Sequence, residues 1–152
     1  MSDRAPRAPG PPPGLAGVIG LAHLAIATSD ADALAGLLSG ALGAARGEEE
    51  LLDDGALRVL FVRLGPVTLE LLEPRRADHT VARFLAKRGP GLHHVSFEVA
   101  DLGAALADAR AQGLQLIDES PSAGAHGSWV AFIHPQSLGG VLVELCQRKR
   151  TG

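Results

Sequence analysis

The alternation of hydrophobic and polar residues divides the chain into short strands and a few amphipathic helices. Strict alternation over several residues is typical of a half-buried strand, and Ile19–Ala27 and Leu92–Val99 follow it. Each is followed by a segment rich in alanine and leucine, which ends before a glycine and begins after a residue that can cap a helix, either Ser29 or Asp30 in the first half and Asp101 in the second. Three short strands are predicted after each of these helices. The predicted helices are Ala31–Leu42, Leu102–Gln112 and a connecting helix His79–Arg88, and the short strands are Ala44–Leu51, Leu57–Leu64, Val67–Glu73, Gln115–Asp118, Trp129–Ile133 and Val141–Cys146.

The two halves of the chain repeat one another. GLAHLAIATSDADAL, which begins at residue 20, aligns with GLHHVSFEVADLGAAL, which begins at residue 91, and this alignment pairs His23 with His94. Towards the end of each half, GPVTLELLE aligns with GGVLVELCQ and pairs Glu70 with Glu144. Such internal similarity indicates a duplicated structural unit. We therefore predict an α+β fold of two tandem βαβββ modules, residues 18–74 and 91–147, within one domain over 18–148.

Four ionisable side chains are predicted to share one face of the sheet. Successive residues on a strand point to opposite faces, and the helix of each module must cover the apolar face. The same alternation assigns His93 to the apolar side, with Val95. Taken singly, each histidine or glutamate is more simply explained as a polar residue without a ligand role, but the repeat favours a shared metal site. The four predicted ligands are His23, Glu70, His94 and Glu144, a set that suits cobalt, manganese, nickel or zinc.

Composition narrows the class of protein. The 152 residues are 46% hydrophobic and 20% charged, and the net charge of −3 comes without a basic stripe, so we predict no nucleic-acid partner. No apolar run reaches the roughly 18–20 residues that a membrane-spanning helix needs, so no membrane partner is predicted. The single cysteine, Cys146, fits a reducing compartment. We predict a cytoplasmic enzyme or binding protein with a disordered leader over residues 1–17, rich in proline and glycine, and a tail over 149–152.

Four segments carry distinctive motifs: VTLELLEP from residue 67, VARFLAKRGPGLHHVSFEV from residue 81, GAHG from residue 124 and AFIHPQSLGGVLVEL from residue 131. These motifs resemble those of methylmalonyl-CoA epimerases, in the vicinal-oxygen-chelate (glyoxalase–bleomycin-resistance) superfamily. The resemblance implies a cupped mixed sheet, commonly in a homodimer, and metal ligation by the same four residues, with cobalt as the first choice of ion. It also implies epimerisation of an acyl-CoA, methylmalonyl-CoA, at C2 through an enolate that the metal stabilises.

The catalytic groups follow from the same resemblance. Some epimerases carry a glutamine at the second ligand position and an extra glutamate on the preceding strand, whereas this chain has Glu70 and, at the position we align with that glutamate, Arg58. Our hypothesis is that Glu144 is both ligand and one proton carrier, and that Glu70 or a water is the other. Substrate contacts are predicted at His126, His134, Ser137 and Gly139, with turn hydrogen bonds as the alternative for the two histidines.

Two other functions fit the same pattern. A metal-dependent isomerase or lyase of the glyoxalase I type can use the same ligand set, and activity on the methylglyoxal–glutathione hemithioacetal would identify it. A small-molecule-binding module of the same fold would have no activity. In such modules the ligand positions are usually lost, whereas all four are present here.

Overall fold

The computed structural model describes residues 14–150, which form eight strands and three α-helices. In chain order, the elements are β1 (Val18–Ala27), α1 (Ala31–Leu42), β2 (Ala45–Leu52), β3 (Leu57–Leu64), β4 (Val67–Pro74), α2 (Thr80–Arg88), β5 (Gly91–Val99), α3 (Leu102–Ala111), β6 (Ser122–Ala123), β7 (Trp129–Ile133) and β8 (Val143–Gln147).

All strands join one curled, mixed sheet in the order β2-β3-β4-β1-β5-β8-β7-β6. The first strand of each module lies at the centre, where β1 and β5 pair antiparallel. Each of them pairs in parallel with the last strand of its own module, β1 with β4 and β5 with β8. The order of the first four strands is therefore repeated by the last four about a pseudo-twofold axis, which confirms the two tandem βαβββ modules.

Helices α1 and α3 cover the same face of the sheet. Each begins at a predicted aspartate cap, where Asp30 accepts a hydrogen bond from the backbone of Ala33 and Asp101 from that of Ala104. Alanines 31 and 35 of α1 pack on alternate residues of β3 and β4, and α3 packs on β7 and β8. Burial of this face leaves the opposite, concave face for the polar residues of the strands.

Most element boundaries differ from the prediction by only one or two residues, but the edge of the sheet in module two is formed by a different segment. The predicted strand Gln115–Asp118 is only a bridge between Leu116 and Ile133, because the Asp118 carboxylate, rather than a backbone carbonyl, accepts the hydrogen bond from the Phe132 N–H at 2.8 Å. The edge strand is β6 instead, which has only two residues.

The last residues of the predicted leader contact the folded domain. Residues 1–13 lie outside the described part of the chain, as do residues 151–152 of the predicted tail. Leu15 packs against the core of module two, and the Ala16 N–H donates to the Asp108 carboxylate at 3.0 Å, so the end of the predicted leader is part of the fold. No helix within residues 14–150 is both long and apolar enough to cross a membrane.

Candidate metal centre and its cavity

Strand register brings the predicted ligands together at the middle of the concave face. Two sets of directly paired residues cross the sheet there, and we call them row one and row two. Each contains a phenylalanine, a glutamate, a small residue and a histidine, contributed by four adjacent strands. Row one is Phe61–Glu70–Ala25–His94, and row two is Phe132–Glu144–Ser96–His23.

The ends of these side chains converge. His23 Nε2 lies 3.3 Å from His94 Nε2, 3.5 Å from Glu144 Oε1 and 3.3 Å from Glu70 Oε2. His94 Nε2 lies 3.6 Å from Glu144 Oε2. Donor atoms of His23, His94 and Glu144 all fall within 4.8 Å of one another, whereas Glu70 joins this group through His23.

This arrangement fits a divalent ion. Nitrogen and oxygen ligands lie about 2.0–2.2 Å from such an ion, which places neighbouring donors of an octahedral site about 3 Å apart. The observed separations are only slightly longer, and the histidines and Glu144 are buried. Two carboxylates would also balance the charge of the ion, so the donor set suits a metal better than it suits an apolar interior.

Burial shifts the pKa values of the four groups in the direction that favours their neutral forms. Removal from water raises the pKa of Glu70 to about 8, with a further contribution from Glu144 and Glu50. It raises the pKa of Glu144 to about 7, against the effect of a 2.8 Å hydrogen bond that Ser96 Oγ donates to Glu144 Oε1. Burial lowers the pKa of His23 to about 4 and that of His94 to about 2. At neutral pH, both imidazoles are therefore neutral, the form that binds metals.

The four residues form part of the wall of a cavity of about 800 Å³ on the concave face. Both modules contribute to this cavity, and Arg63, Arg148 and Lys149 add basic groups to its lining. The volume lies within the range typical of small-molecule sites. Arg63 was not a predicted site residue. It lies on the same face of its strand as Phe61, so the alternation of side chains, applied along the whole strand, would have identified it.

His93 also lines the cavity, contrary to the predicted strand parity. Ala25 pairs with His94 and Ile26 with Leu92, so His93 is an extra residue in a β-bulge. The bulge breaks the alternation and brings His93 Nδ1 to 2.9 Å from His94 Nδ1. Nothing in the local sequence marks this bulge.

Among the predicted substrate contacts, His126 lines the cavity. Its ring lies on that of Phe61 with centroids 4.2 Å apart, and its Nε2 lies 2.9 Å from Glu48 Oε1. The backbone N–H of His126 donates to Glu50. A loop of module two therefore contacts β2 of module one across the cavity, a contact that sequence spacing did not predict.

The other predicted contacts, His134, Ser137 and Gly139, do not line the cavity. They lie in the turn between β7 and β8, where His134 Nδ1 accepts a hydrogen bond from the Gln136 N–H and Gly139 has the left-handed conformation of a helix cap. Ser137 Oγ accepts a hydrogen bond from the Gln115 N–H, which connects this turn to the segment after α3. The turn hydrogen bond that was the alternative interpretation of His134 is therefore present.

Arg58 lies on the opposite side of β3 from the cavity. Its guanidinium donates hydrogen bonds to Asp32, Glu49 and Glu73. The residues that precede and follow it in the sequence, Leu57 and Val59, line the cavity instead. The position that we aligned with the family's additional glutamate therefore belongs to an ion-pair network beside α1. Strand β3 contributes no acidic side chain to the cavity.

Comparisons of the sequence and of the fold with known proteins point to the same family. The model of the glyoxalase/bleomycin resistance protein/dioxygenase superfamily matches residues 22–132. The mitochondrial methylmalonyl-CoA epimerase of Homo sapiens is 40% identical over 128 residues, which cover 84% of this chain and 73% of that protein. The crystal structure of methylmalonyl-CoA epimerase from Mycobacterium tuberculosis superposes with a TM-score of 0.83 at 34% identity, covering 90% of this chain and 91% of the other. A variant of the Streptomyces coelicolor methylmalonyl-CoA epimerase, in complex with 2-nitronate-propionyl-CoA, gives a TM-score of 0.82 at 31% identity, with 88% and 97% covered.

Proposed function

The chain belongs to the methylmalonyl-CoA epimerase family of the glyoxalase/bleomycin resistance protein/dioxygenase superfamily, and on this basis we propose that it interconverts the C2 epimers of methylmalonyl-CoA. The observation that carries the proposal is the convergence of two histidines and two glutamates from both modules in one cavity. Family membership supplies the reaction class, and the retained ligand set argues against a binding module that has lost its metal.

We assign His23, Glu70, His94 and Glu144 as the residues that hold a divalent ion, with cobalt as the expected metal. When bound, such an ion supplies positive charge beside the thioester oxygen, where negative charge develops as the C2 proton leaves. The side chains of the chain itself hold and orient the substrate. The apolar faces of Phe61 and Phe132, at the ends of the two rows, limit access of water to the reacting carbon.

Inversion at C2 needs one proton carrier on each face of the planar intermediate. Glu70 and Glu144 belong to different modules and are related by the pseudo-twofold axis, so they approach the centre from opposite sides. We assign them as the two carriers. One carboxylate removes the proton from C2, and the other, after it takes up a proton from solvent, delivers that proton to the opposite face; the roles reverse for the other epimer.

The cavity also suits the remainder of an acyl-CoA. Arg63, Arg148 and Lys149 supply positive charge at its wall, which can pair with the phosphates of the CoA moiety. Of the predicted substrate contacts, His126 keeps this role in our proposal. We further propose that the enzyme acts as a cytoplasmic homodimer, in keeping with the family resemblance of the whole domain.

Incubation of a single methylmalonyl-CoA epimer in deuterium oxide tests the proposal. With added cobalt, we expect deuterium at C2 and appearance of the other epimer, and treatment with a chelator should abolish both. His94→Ala should lose both signals as well, because it removes a central donor. Turnover of the methylglyoxal–glutathione hemithioacetal without any C2 exchange would identify the glyoxalase-type reaction instead, and lack of either activity with metal bound would favour a binding module.

A further inference from the structure

The two rows that build the centre differ in chemistry at one position only. Their phenylalanines, glutamates and histidines match one another, but row one has Ala25 where row two has Ser96. Both residues are completely buried, at 0% exposure, and each pairs directly with the glutamate of its row on one side and a histidine of the other module on the opposite side. The hydroxyl of Ser96, where Ala25 has only a hydrogen atom, is therefore the main difference between the two halves of the ligand set.

That hydroxyl is engaged with one carboxylate. Ser96 Oγ donates to Glu144 Oε1 at 2.8 Å, and this oxygen also lies 3.5 Å from His23 Nε2. The other oxygen of Glu144 faces His94. The methyl group of Ala25 offers Glu70 no such hydrogen bond. Glu144 is thus held in one orientation by a hydrogen bond from the adjacent strand, whereas Ala25, at the position equivalent to Ser96, gives Glu70 no such restraint.

We propose that Ser96 is a positioning residue, which orients the Glu144 carboxylate for metal binding and makes the two glutamates of the centre inequivalent. Groups that hydrogen-bond to metal ligands fix their orientation, and their loss typically weakens metal affinity about 10- to 100-fold. Ser96 does not line the cavity, and its hydroxyl is bonded to Glu144, so its effect passes through that carboxylate. The inference rests on the metal centre of the proposed function.

Cobalt affinity of the full-length Ser96→Ala variant tests this role. Alanine fits the same environment at position 25, so the variant should fold with an unchanged circular dichroism spectrum. We expect its cobalt dissociation constant to rise at least about 10-fold, with Ser96→Thr, which keeps the hydroxyl, close to the natural protein. Ser39→Ala is the matched control, because it removes another side-chain hydroxyl, one that donates to the Ala44 carbonyl far from the cavity.

A double variant separates positioning from simple packing. Ala25→Ser combined with Ser96→Ala moves the hydroxyl to the equivalent position of row one, beside Glu70. We expect this double variant to recover most of the cobalt affinity that Ser96→Ala loses. Natural affinity in Ser96→Ala would overturn the inference while leaving the proposed function intact. Failure of the natural protein itself to bind cobalt would instead refute the metal centre.

Discussion

Binding of a divalent ion to this centre should release protons, and the number released should fall as the pH rises. In the metal-free protein, burial raises the pKa of Glu70 to about 8 and that of Glu144 to about 7, so both carboxyl groups hold protons at slightly acidic pH. The ion binds carboxylates, and these protons must therefore leave. His23 and His94 contribute almost nothing, since both are already neutral.

The expected magnitude follows from the two pKa values. At pH 6.5, Glu70 carries about one proton and Glu144 about three quarters of one, so binding should release about 1.7 protons. At pH 8.5, Glu70 carries about a quarter of a proton and Glu144 almost none, so the release should fall to about 0.3. The apparent cobalt affinity should accordingly increase with pH across this interval.

Isothermal titration calorimetry with cobalt measures the release directly. At each pH, the observed enthalpy is plotted against the ionisation enthalpy of several buffers, and the slope gives the number of protons. Glu70→Gln should reduce the release at pH 6.5 by about one proton, because an amide has none to lose. A release below about half a proton at pH 6.5, or one that rises with pH, would refute the assignment of buried protonated carboxyl groups.

Three further predictions concern stability and the cavity wall. The metal-free protein should lose about 2 kcal/mol of unfolding free energy between pH 6.5 and 8 in urea titrations, because the folded state retains carboxyl protons that the unfolded state has released. Over the same interval the unfolded state releases part of a proton from each of the two buried histidines, which offsets less than about 1 kcal/mol, and bound metal should remove this pH dependence. Leu106→Ala, which opens the core beneath α3, should cost about 2–5 kcal/mol in the same assay, against less than about 0.5 for the exposed Leu37→Ala. Gly124→Ala would place a Cβ 2.7 Å from Ser128 Oγ and displace the cavity loop, so we expect kcat/KM to fall, whereas Gly36→Ala, which meets nothing within 4 Å, should leave it unchanged.

The sequence was sufficient to predict that the four ionisable side chains share the concave face, because alternation places each of them on the side away from the helices. Alternation along β4 and β8 fixes the side of Glu70 and Glu144 once the apolar neighbours are assigned to the helices, and the internal repeat then pairs the two modules. The same regularity correctly places Ser96 beside His94 on the open face. These inferences need only the period of a strand and the requirement that one face be buried.

The remaining features depend on breaks in that regularity or on contacts between distant segments. The bulge at His93 shifts one residue to the other face, and no local pattern requires it. Asp118 replaces a backbone acceptor with its side chain and so ends a predicted strand early. Arg58 was assigned by alignment, whereas its true surroundings are set by Asp32 of α1, 26 residues away in the chain. Such contacts appear only once the modules are packed.

Duplication of the module also makes the ligand set nearly symmetric, so any preference for one orientation of the substrate must come from elsewhere in the cavity. A centre with twofold-related ligands would accept a chelating substrate equally well in two orientations, yet the two ends of a malonyl thioester differ. The cavity wall is correspondingly asymmetric: β2 has eight residues and β6 only two, and the chain after β6 crosses towards β2, where His126 meets Glu48 and Glu50. Ser96 adds a second asymmetry at the ligands themselves. The ligand set thus limits what chemistry is possible, whereas the unequal walls and the single serine are the features that make the two orientations of a substrate inequivalent.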